Sequence, residues 1–368
     1  MSSNNFLKWP SITQGQNLSG KRQHLISLTN KGFSIHCLFQ PGKGVNGNPS
    51  KPIMKNHSKL NKGPFNSVVA ANKPIGQGFY RLSLGFEGPG AEAFAKTQPG
   101  QFVQLDLADI SLPPLKTIPE GLRDAAGRKI LLRRPFSFSD VTVEKNKTFV
   151  SILYGVVGPA SLRMTTLTTG DSVSVIGPLG NGFRMPKGKK HALLIAGGMG
   201  AGPLEYLAKV LTADFPKINL VAFAGAKTAK ALPFEGRLDA ISQELGFSLA
   251  EFAKYGVKSL AATDDGSIGF AGTVTDCLSQ WLDESGLASR DMILYGCGPE
   301  AMLAQVAKIA RGRNIDCQVS MERHMACGTG LCQSCAVECK VAGSSETVYK
   351  MCCTDGPVFD SREVVFRL

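Results

Sequence analysis

The 368-residue chain contains no acidic residue before Glu87, and only two tryptophans and five histidines in all. No apolar run comes near the roughly 20 residues that a bilayer-spanning helix needs. The N-terminal stretch also lacks a continuous apolar segment ending in small residues, so no secretory signal is expected. The missing acids account for most of the net charge of +12: residues 1–62 hold nine of the 41 Lys and Arg, which leaves 32 basic against 29 acidic groups over 63–368. A nearly neutral body is a poor match for a nucleic-acid-binding surface, so neither a nucleic-acid nor a membrane partner is expected. The hydrophobic fraction of 43% and a mean hydropathy near zero describe a soluble globular protein with length for two or three domains.

Residues 1–62 are rich in Asn, Ser, Gly and Lys and show no period of 2 or 3.6, so they read as a disordered or poorly ordered basic extension. From residue 63 short strand-like runs follow one another, at 67–71, 79–86, 102–107, 148–153 and 172–176. Gly and Pro punctuate them, which predicts a small antiparallel barrel over 63–186, with a polar surface loop at 108–129. Strands and helices then alternate. Buried parallel strands are predicted at 191–196 and 219–224 and helices at 204–211 and 301–311, an α/β nucleotide-binding domain over 187–318. Residues 319–368 form a small Cys- and Gly-rich domain.

Six of the ten cysteines fall between Cys327 and Cys353. A signal-less chain of this size, with clustered thiols, points to metal ligation in a reducing compartment rather than to a disulfide framework. Cys327, Cys332 and Cys335 have the C-x4-C-x2-C spacing of a plant-type [2Fe–2S] site. Gly328 and Gly330 between them let backbone N–H groups approach sulfur. The fourth ligand is Cys352 or Cys353. Structural zinc is the competing reading, but zinc sites more often carry two C-x2-C pairs and there is one here. Cys339 sits in a run that alternates like a strand and reads as packing, as do the isolated Cys37, Cys277 and Cys317.

Leu193–Ala196 runs into Gly197, Gly198, Met199, Gly200, Ala201, Gly202 and Pro203. A buried strand feeding a glycine-rich turn and a helix presents N–H groups to a pyrophosphate, although this is not a strict G-x-G-x-x-G. A second strand end, Ile293 to Cys297, Gly298 and Pro299, places small residues at the same edge of the sheet, where open parallel sheets bind ligands. In the barrel, Arg133 and Arg134 followed by Pro135, Phe136 and Ser137 put guanidinium groups beside a hydroxyl, which suits a diphosphate and a flavin edge. Lys227 and Lys230, after the strand near Ala224, are placed where a 2′-phosphate would be met, or are simply solvated.

These motifs resemble the ferredoxin–NADP reductase superfamily, and within it the branch of dihydroorotate dehydrogenase B electron transfer subunits. The resemblance rests on Leu132-Arg-Arg-Pro-Phe-Ser137, Ile176-Gly-Pro-Leu-Gly-Asn-Gly-Phe183, the Gly197–Leu204 turn, Ala262-Thr-Asp-Asp-Gly-Ser-Ile-Gly-Phe270 and Cys297-Gly-Pro299. Ser320-Met-Glu-Arg-His-Met-Ala-Cys327 and Cys353-Thr-Asp-Gly-Pro-Val-Phe359 complete it, in the family's order across 64–368. The resemblance implies FAD on Arg134, Pro135, Phe136 and Ser137, with Leu153, Tyr154, Gly155, Ala160 and Ser161 lining the same cofactor. It implies NAD over Gly197, Gly198, Gly200, Pro203, Cys297, Gly298 and Pro299, and a [2Fe–2S] cluster on Cys327, Cys332, Cys335 and Cys353. The choice of Cys353 follows from the family pattern in which the last ligand precedes x-Asp-Gly-Pro. The chain departs from the family at Gly155, where Arg is common, and at Ala160-Ser161, where Gly-Thr is common.

An NAD-linked flavoprotein oxidoreductase subunit is therefore expected. It would be a cytoplasmic protein of pyrimidine biosynthesis that takes electrons from an FMN-containing dihydroorotate dehydrogenase catalytic subunit, in a two-plus-two hetero-oligomer. The alternative is a related reductase subunit serving ferredoxin, a hydrogenase or a sulfur-reducing complex. No side chain is assigned a catalytic role, His324 and the acids near Asp264 included, because the redox chemistry belongs to the cofactors.

Overall fold

In the computed structural model, residues 63–76, 78–234 and 249–367 are described, together with the backbone of four short strands nearer the N-terminus. These four belong to a separate unit, residues 1–57. They pair antiparallel as β1 (Gln14–Gln16) with β2 (Arg22–His24) and β3 (Ser27–Asn30) with β4 (Phe33–His36). The expected poor order of 1–62 otherwise lies outside the described residues.

The second unit begins with β5 (Gly63–Gly76), β6 (Phe79–Glu87), β7 (Phe102–Leu105), β8 (Arg134–Ser137), β9 (Asp140–Glu144), β10 (Lys147–Gly155) and β11 (Ser172–Leu179). They form one antiparallel sheet in the order β8-β7-β11-β5-β6-β10-β9. Alternate residues from across this sheet meet in one core: Val69, Leu82, Leu84, Val103, Leu105, Val141, Val150, Ile152, Val173 and Val175. A sheet whose strands all face one core must wrap around it, which is the expected barrel. Helix α1 (Gly88–Phe94) plugs one end through Phe94, whose ring stacks on Phe86 at 4.0 Å. The segment 108–129 carries short turns and α2 (Arg123–Ala126), and α3 (Pro159–Met164) follows β10. Four of the five predicted strands were shorter than the observed ones and one, 102–107, was longer than β7; β8 and β9 were missed, and in β8 four residues containing a proline give little period to read.

The second sheet contains β12 (His191–Gly197), β13 (Asn219–Ala226), β14 (Lys258–Thr263), β15 (Phe270–Ala271), β16 (Met292–Cys297) and β17 (Asp316–Ser320), ordered β15-β14-β13-β12-β16-β17 and parallel throughout. Its strands are buried on both faces. Leu193, Ile195, Phe223, Leu294 and Val319 join one cluster; Ala192, Leu194, Ala222, Ala224, Ile293 and Tyr295 join the other. Helices α4 (Ala201–Asp214) and α5 (Ala250–Ala253) cover the second cluster, and α6 (Val274–Ser285) and α7 (Glu300–Gly312) the first. Apolar runs without alternation follow from that double cover. Beyond β17, β18 (Ala336–Lys340) and β19 (Thr347–Met351) form a hairpin, and β20 (Val358–Asp360) returns to pair antiparallel with β17.

Polar contacts fix the barrel to α4. Glu205, 1% exposed, takes Arg81 of β6 at 3.0 Å and Lys254 at 2.6 Å. The Tyr206 hydroxyl donates to the Thr97 carbonyl at 2.7 Å, and Lys209 pairs with Asp140 at 2.6 Å.

Candidate functional site

The segment from Cys327 to Cys335 has no helix or strand. Gly328, Gly330 and Gln333 have φ of 71°, 85° and 56°, a left-handed path that glycine takes without a Cβ penalty. This path turns backbone donors inward. The N–H groups of Thr329 and Cys332 both point at the Cys327 sulfur at 3.4 Å, and that of Gly330 points at the Cys353 sulfur at 3.2 Å. The amides of Cys332 and Thr329 lower the Cys327 thiol to about 6. The Ser334 side chain, 3.1 Å away, leads the lowering at Cys332. Burial pushes Cys353 up to about 12 and the neighbouring Cys335 thiol adds to that; a coordinated cation would reverse the order by displacing the proton.

Cys352 faces the other way. It is fully buried and its thiol donates to the Met321 carbonyl at 3.1 Å, while burial raises its pKa. Cys327 thus lies beside Cys332 and Cys335 beside Cys353, with Cys352 turned away; among the described residues no group of three or more Cys, His, Asp or Glu side chains converges on a single metal-ion position. Cys339 is buried in β18, and Cys277 and Cys317 are buried core thiols; Cys37 lies outside the described residues.

A cavity of about 320 Å³ opens beside this loop. Its wall comes from Pro135, Phe136 and Ser137 of β8; Leu153, Tyr154 and Gly155 of β10; Met199, Gly202 and Pro203 after β12; Cys297 at the end of β16; and Ser320 to Arg323, Met325 and Pro357. Eight residues predicted from sequence therefore share one wall. Tyr154 offers little beyond backbone there: its ring stacks on Tyr80 at 5.4 Å and its hydroxyl donates to Asn72 at 3.1 Å.

The other predicted residues stand off this wall. Arg134 donates to the Leu132 carbonyl at 2.7 Å, and Arg133 holds Ser174 at 2.9 Å and Asp106 at 3.1 Å. Ser161 accepts from the N–H groups of Val157 and Gly158 at 2.9 and 3.1 Å, so its hydroxyl shapes the start of α3, next to Ala160. Gly197, Gly200 and Gly298 lie where two turns press together. A Cβ on Gly197 would meet Pro299 at 2.7 Å, and one on Gly200 would meet Gly298 N at 2.7 Å. Gly198, with φ of 50°, has nothing within 4 Å of a Cβ and faces open space. The glycine pattern is thus mostly about close packing, with one position open to a ligand.

Sequence reasoning gave no role to Ser320, Glu322 or Arg323, although they stand in a quoted motif. Arg323 forms a two-pronged ion pair with Glu300 of α7, both contacts at 2.9 Å, which ties the cysteine-rich segment to the nucleotide sheet. Burial raises the Glu322 carboxyl. Lys227 and Lys230 are exposed beyond β13.

Two family models match the chain: the iron–sulfur cluster binding domain of dihydroorotate dehydrogenase B over residues 322–365, and the oxidoreductase NAD-binding domain over 194–308. The dihydroorotate dehydrogenase B (NAD(+)) electron transfer subunit of Geobacillus thermodenitrificans is 36% identical over 301 residues, covering 81% of this chain and 97% of that protein. Its counterpart in Caldanaerobacter subterraneus subsp. tengcongensis is 33% identical over 298 residues, with the same coverage of 81% and 97%. Among solved structures, the NADH-dependent reduced ferredoxin-NADP oxidoreductase described for flavin-based electron bifurcation superposes with a TM-score of 0.61 at 24% identity, covering 82% of this chain and 90% of that one. That likeness concerns the fold.

Proposed function

Because the chain belongs to the family of dihydroorotate dehydrogenase B electron transfer subunits, we propose that it passes electrons from the FMN of a dihydroorotate-oxidising catalytic subunit through a [2Fe–2S] cluster and FAD to NAD+, in pyrimidine biosynthesis. The observation that carries this reading is the shared cavity, whose wall draws on the barrel, on the turns of the nucleotide sheet and on the cysteine-rich segment at once. When bound, the cluster supplies one-electron chemistry and the flavin supplies the conversion to the two-electron chemistry of nicotinamide.

The protein's own residues place these groups. Cys327, Cys332, Cys335 and Cys353 hold the irons, supported by the three N–H groups already aimed at their sulfurs. Pro135, Phe136, Ser137, Leu153 and Gly155 present the barrel wall to the flavin, and Arg134, whose guanidinium has only carbonyl partners, is available to a diphosphate. Gly198 gives NAD an unobstructed backbone approach, while Gly197, Gly200 and Gly298 let the β12 and β16 turns close beneath it. Pro203 and Cys297 complete the nicotinamide side, next to Pro299. The division into 63–186, 187–318 and 319–368 follows these three duties. No described helix is long and apolar enough to cross a membrane, and we place the protein in the cytoplasm with its catalytic partner, two copies of each.

Anaerobic purification with any companion chain tests the reading. The expected material contains FAD, iron and acid-labile sulfide, and a dihydroorotate-oxidising flavoprotein that reduces NAD+ only in the complex. Material without iron or sulfide, or a companion that does not oxidise dihydroorotate, overturns it.

A further inference from the structure

Gln104 lies on β7 and is 1% exposed. Val103 and Leu105 on either side point into the barrel core, so the alternation of the strand sends Gln104 outward, on the same face as Phe102. That face is covered by the cysteine-rich segment: Phe102 shares a core cluster with Cys335 and Cys353. The Gln104 amide lies directly against Gly328, where a Cβ would come within 2.7 Å of Nε2 and 3.0 Å of Oε1. Its Nε2 has no acceptor, and among the described residues no other side-chain nitrogen is buried and unpaired.

A buried N–H group without an acceptor disfavours the fold, so native structures rarely keep one unless the acceptor lies outside the polypeptide. Here the loop against which it packs starts at Cys327. Gly328 is also a residue that must be glycine twice over, for its φ of 71° and for the space that the amide takes. Across the ladder, Gln104 is paired with Pro135, a residue of the cavity wall, so it belongs to the layer between that cavity and the cysteine loop.

We propose that the Gln104 side-chain amide donates a hydrogen bond to a sulfur of the cluster held by the Cys327 loop, and thereby makes reduction of that cluster more favourable. This rests on the four-cysteine ligation argued above. The physical reason is charge: one-electron reduction makes the sulfurs more negative, and an N–H donor fixed in a buried site stabilises the more negative state. The donor comes from the flavin barrel, so docking of the cysteine-rich segment on the barrel and the potential of its cluster are set by one contact. Backbone donors within the loop cannot couple the two in this way.

The test uses the intact holoprotein. Gln104→Leu removes the donor at similar volume, and Gln104→Glu replaces it with a carboxylate that accepts but does not donate when ionised. In an EPR-monitored redox titration, reduction of the cluster is expected to become about tenfold less favourable in the leucine variant, about 59 mV for a one-electron couple, and further in the glutamate variant. Iron, labile sulfide and the FAD midpoint stay as in the wild type. Pulsed EPR of the reduced wild-type cluster, with 15N placed in glutamine side-chain amides, should show a coupling that Gln104→Leu abolishes. This measurement needs no variant to reveal the coupling itself. Unchanged cluster potentials in both variants at full iron content overturn the proposal, as does a wild-type spectrum without side-chain 15N coupling. A shift of the flavin midpoint with the cluster unmoved also overturns it, since the donor then serves the flavin. Absence of iron from the wild type refutes the ligation reading instead.

Discussion

Two glycines in the same turn are expected to respond to alanine in different ways. Gly200 has φ of −61°, an ordinary helical value, so backbone entropy alone would make Gly200→Ala stabilising by about 0.4–1 kcal/mol. The new methyl group would nevertheless stand 2.7 Å from Gly298 N and closer still to the Cys297 carbonyl. Those are backbone atoms at the end of β16, laddered to β12 through the Ala196–Cys297 pair, and they cannot yield as a side-chain tip could. Overpacking costs roughly 1–3 kcal/mol where side chains can shift, and the upper end applies here. The clash wins, leaving a net loss of about 2 kcal/mol. Gly198 has φ of 50° and open space, so Gly198→Ala costs about 1–2 kcal/mol in conformational strain and meets no neighbour. Its methyl group would instead stand on the open side of the turn, and NADH affinity should fall at least tenfold, about 1.4 kcal/mol. Urea unfolding gives the stabilities and fluorescence titration the NADH affinity. A Gly200→Ala protein as stable as the wild type would refute the packing argument, and unchanged NADH binding by Gly198→Ala would refute the assignment of the open face.

Cys353→Ser should lose iron and the visible absorbance of the cluster, while Cys352→Ser keeps both, as metal analysis and a dithionite-bleached spectrum will tell. Cys335→Ser should also lose the cluster yet still oxidise NADH with artificial flavin acceptors; loss of both activities would count against separate cofactor sites. Glu205→Ala leaves Arg81 and Lys254 without their shared carboxylate, and with Lys254 46% exposed and able to hydrate, destabilisation of about 2–3 kcal/mol is expected in urea melts. Asp316 is held below its usual range first by Lys189 and then by Arg362. The ionised form is the stabilised one, so its contribution is complete above the unfolded value near 3.9 and disappears as pH falls through the lower folded value. Asp316 is 45% exposed, so Asp316→Asn should lower stability by at most about 1 kcal/mol at pH 7, with the difference closing below about pH 4. A difference that persists at the acid end would contradict this.

The spacing of Cys327, Cys332 and Cys335 was legible because three of the thiols come from one short loop, which a linear pattern records directly. The parallel strands were legible for a related reason: burial on both faces removes alternation and leaves runs such as Leu193-Leu-Ile. What depends on contact between distant segments was not. Spacing alone does not distinguish Cys352 from Cys353; the family pattern before Asp-Gly-Pro points to Cys353, and the physical distinction lies in the Met321 carbonyl, 31 residues away, which takes the Cys352 thiol. Gly197 and Gly200 read as phosphate contacts, and only the approach of the β16 turn reveals that close packing also requires glycine there. Ser161 looked like a cofactor hydroxyl, but it is occupied by its own helix start. The pairing of β20 with β17 has no sequence signature, since an edge strand of three residues carries no period.

The cysteine loop is asymmetric in a way that bears on its task. Cys332 is exposed and Leu331 beside it is 85% exposed, whereas Cys335 and Cys353 are buried at about 1% in a core shared with Phe102 and Leu179 of the barrel. One side of the loop is therefore open to another protein and the other is sealed against the flavin barrel. The sealed side is held by features that do not depend on any partner: the Phe102 contact, the Arg323–Glu300 fork, and the return of β20 into the nucleotide sheet. A loop that received and delivered electrons through one face would have to release its donor before meeting its acceptor. With the inner face built into the fold, only the outer contact is left to association. The internal distance is then set by packing, and the encounter controls arrival alone.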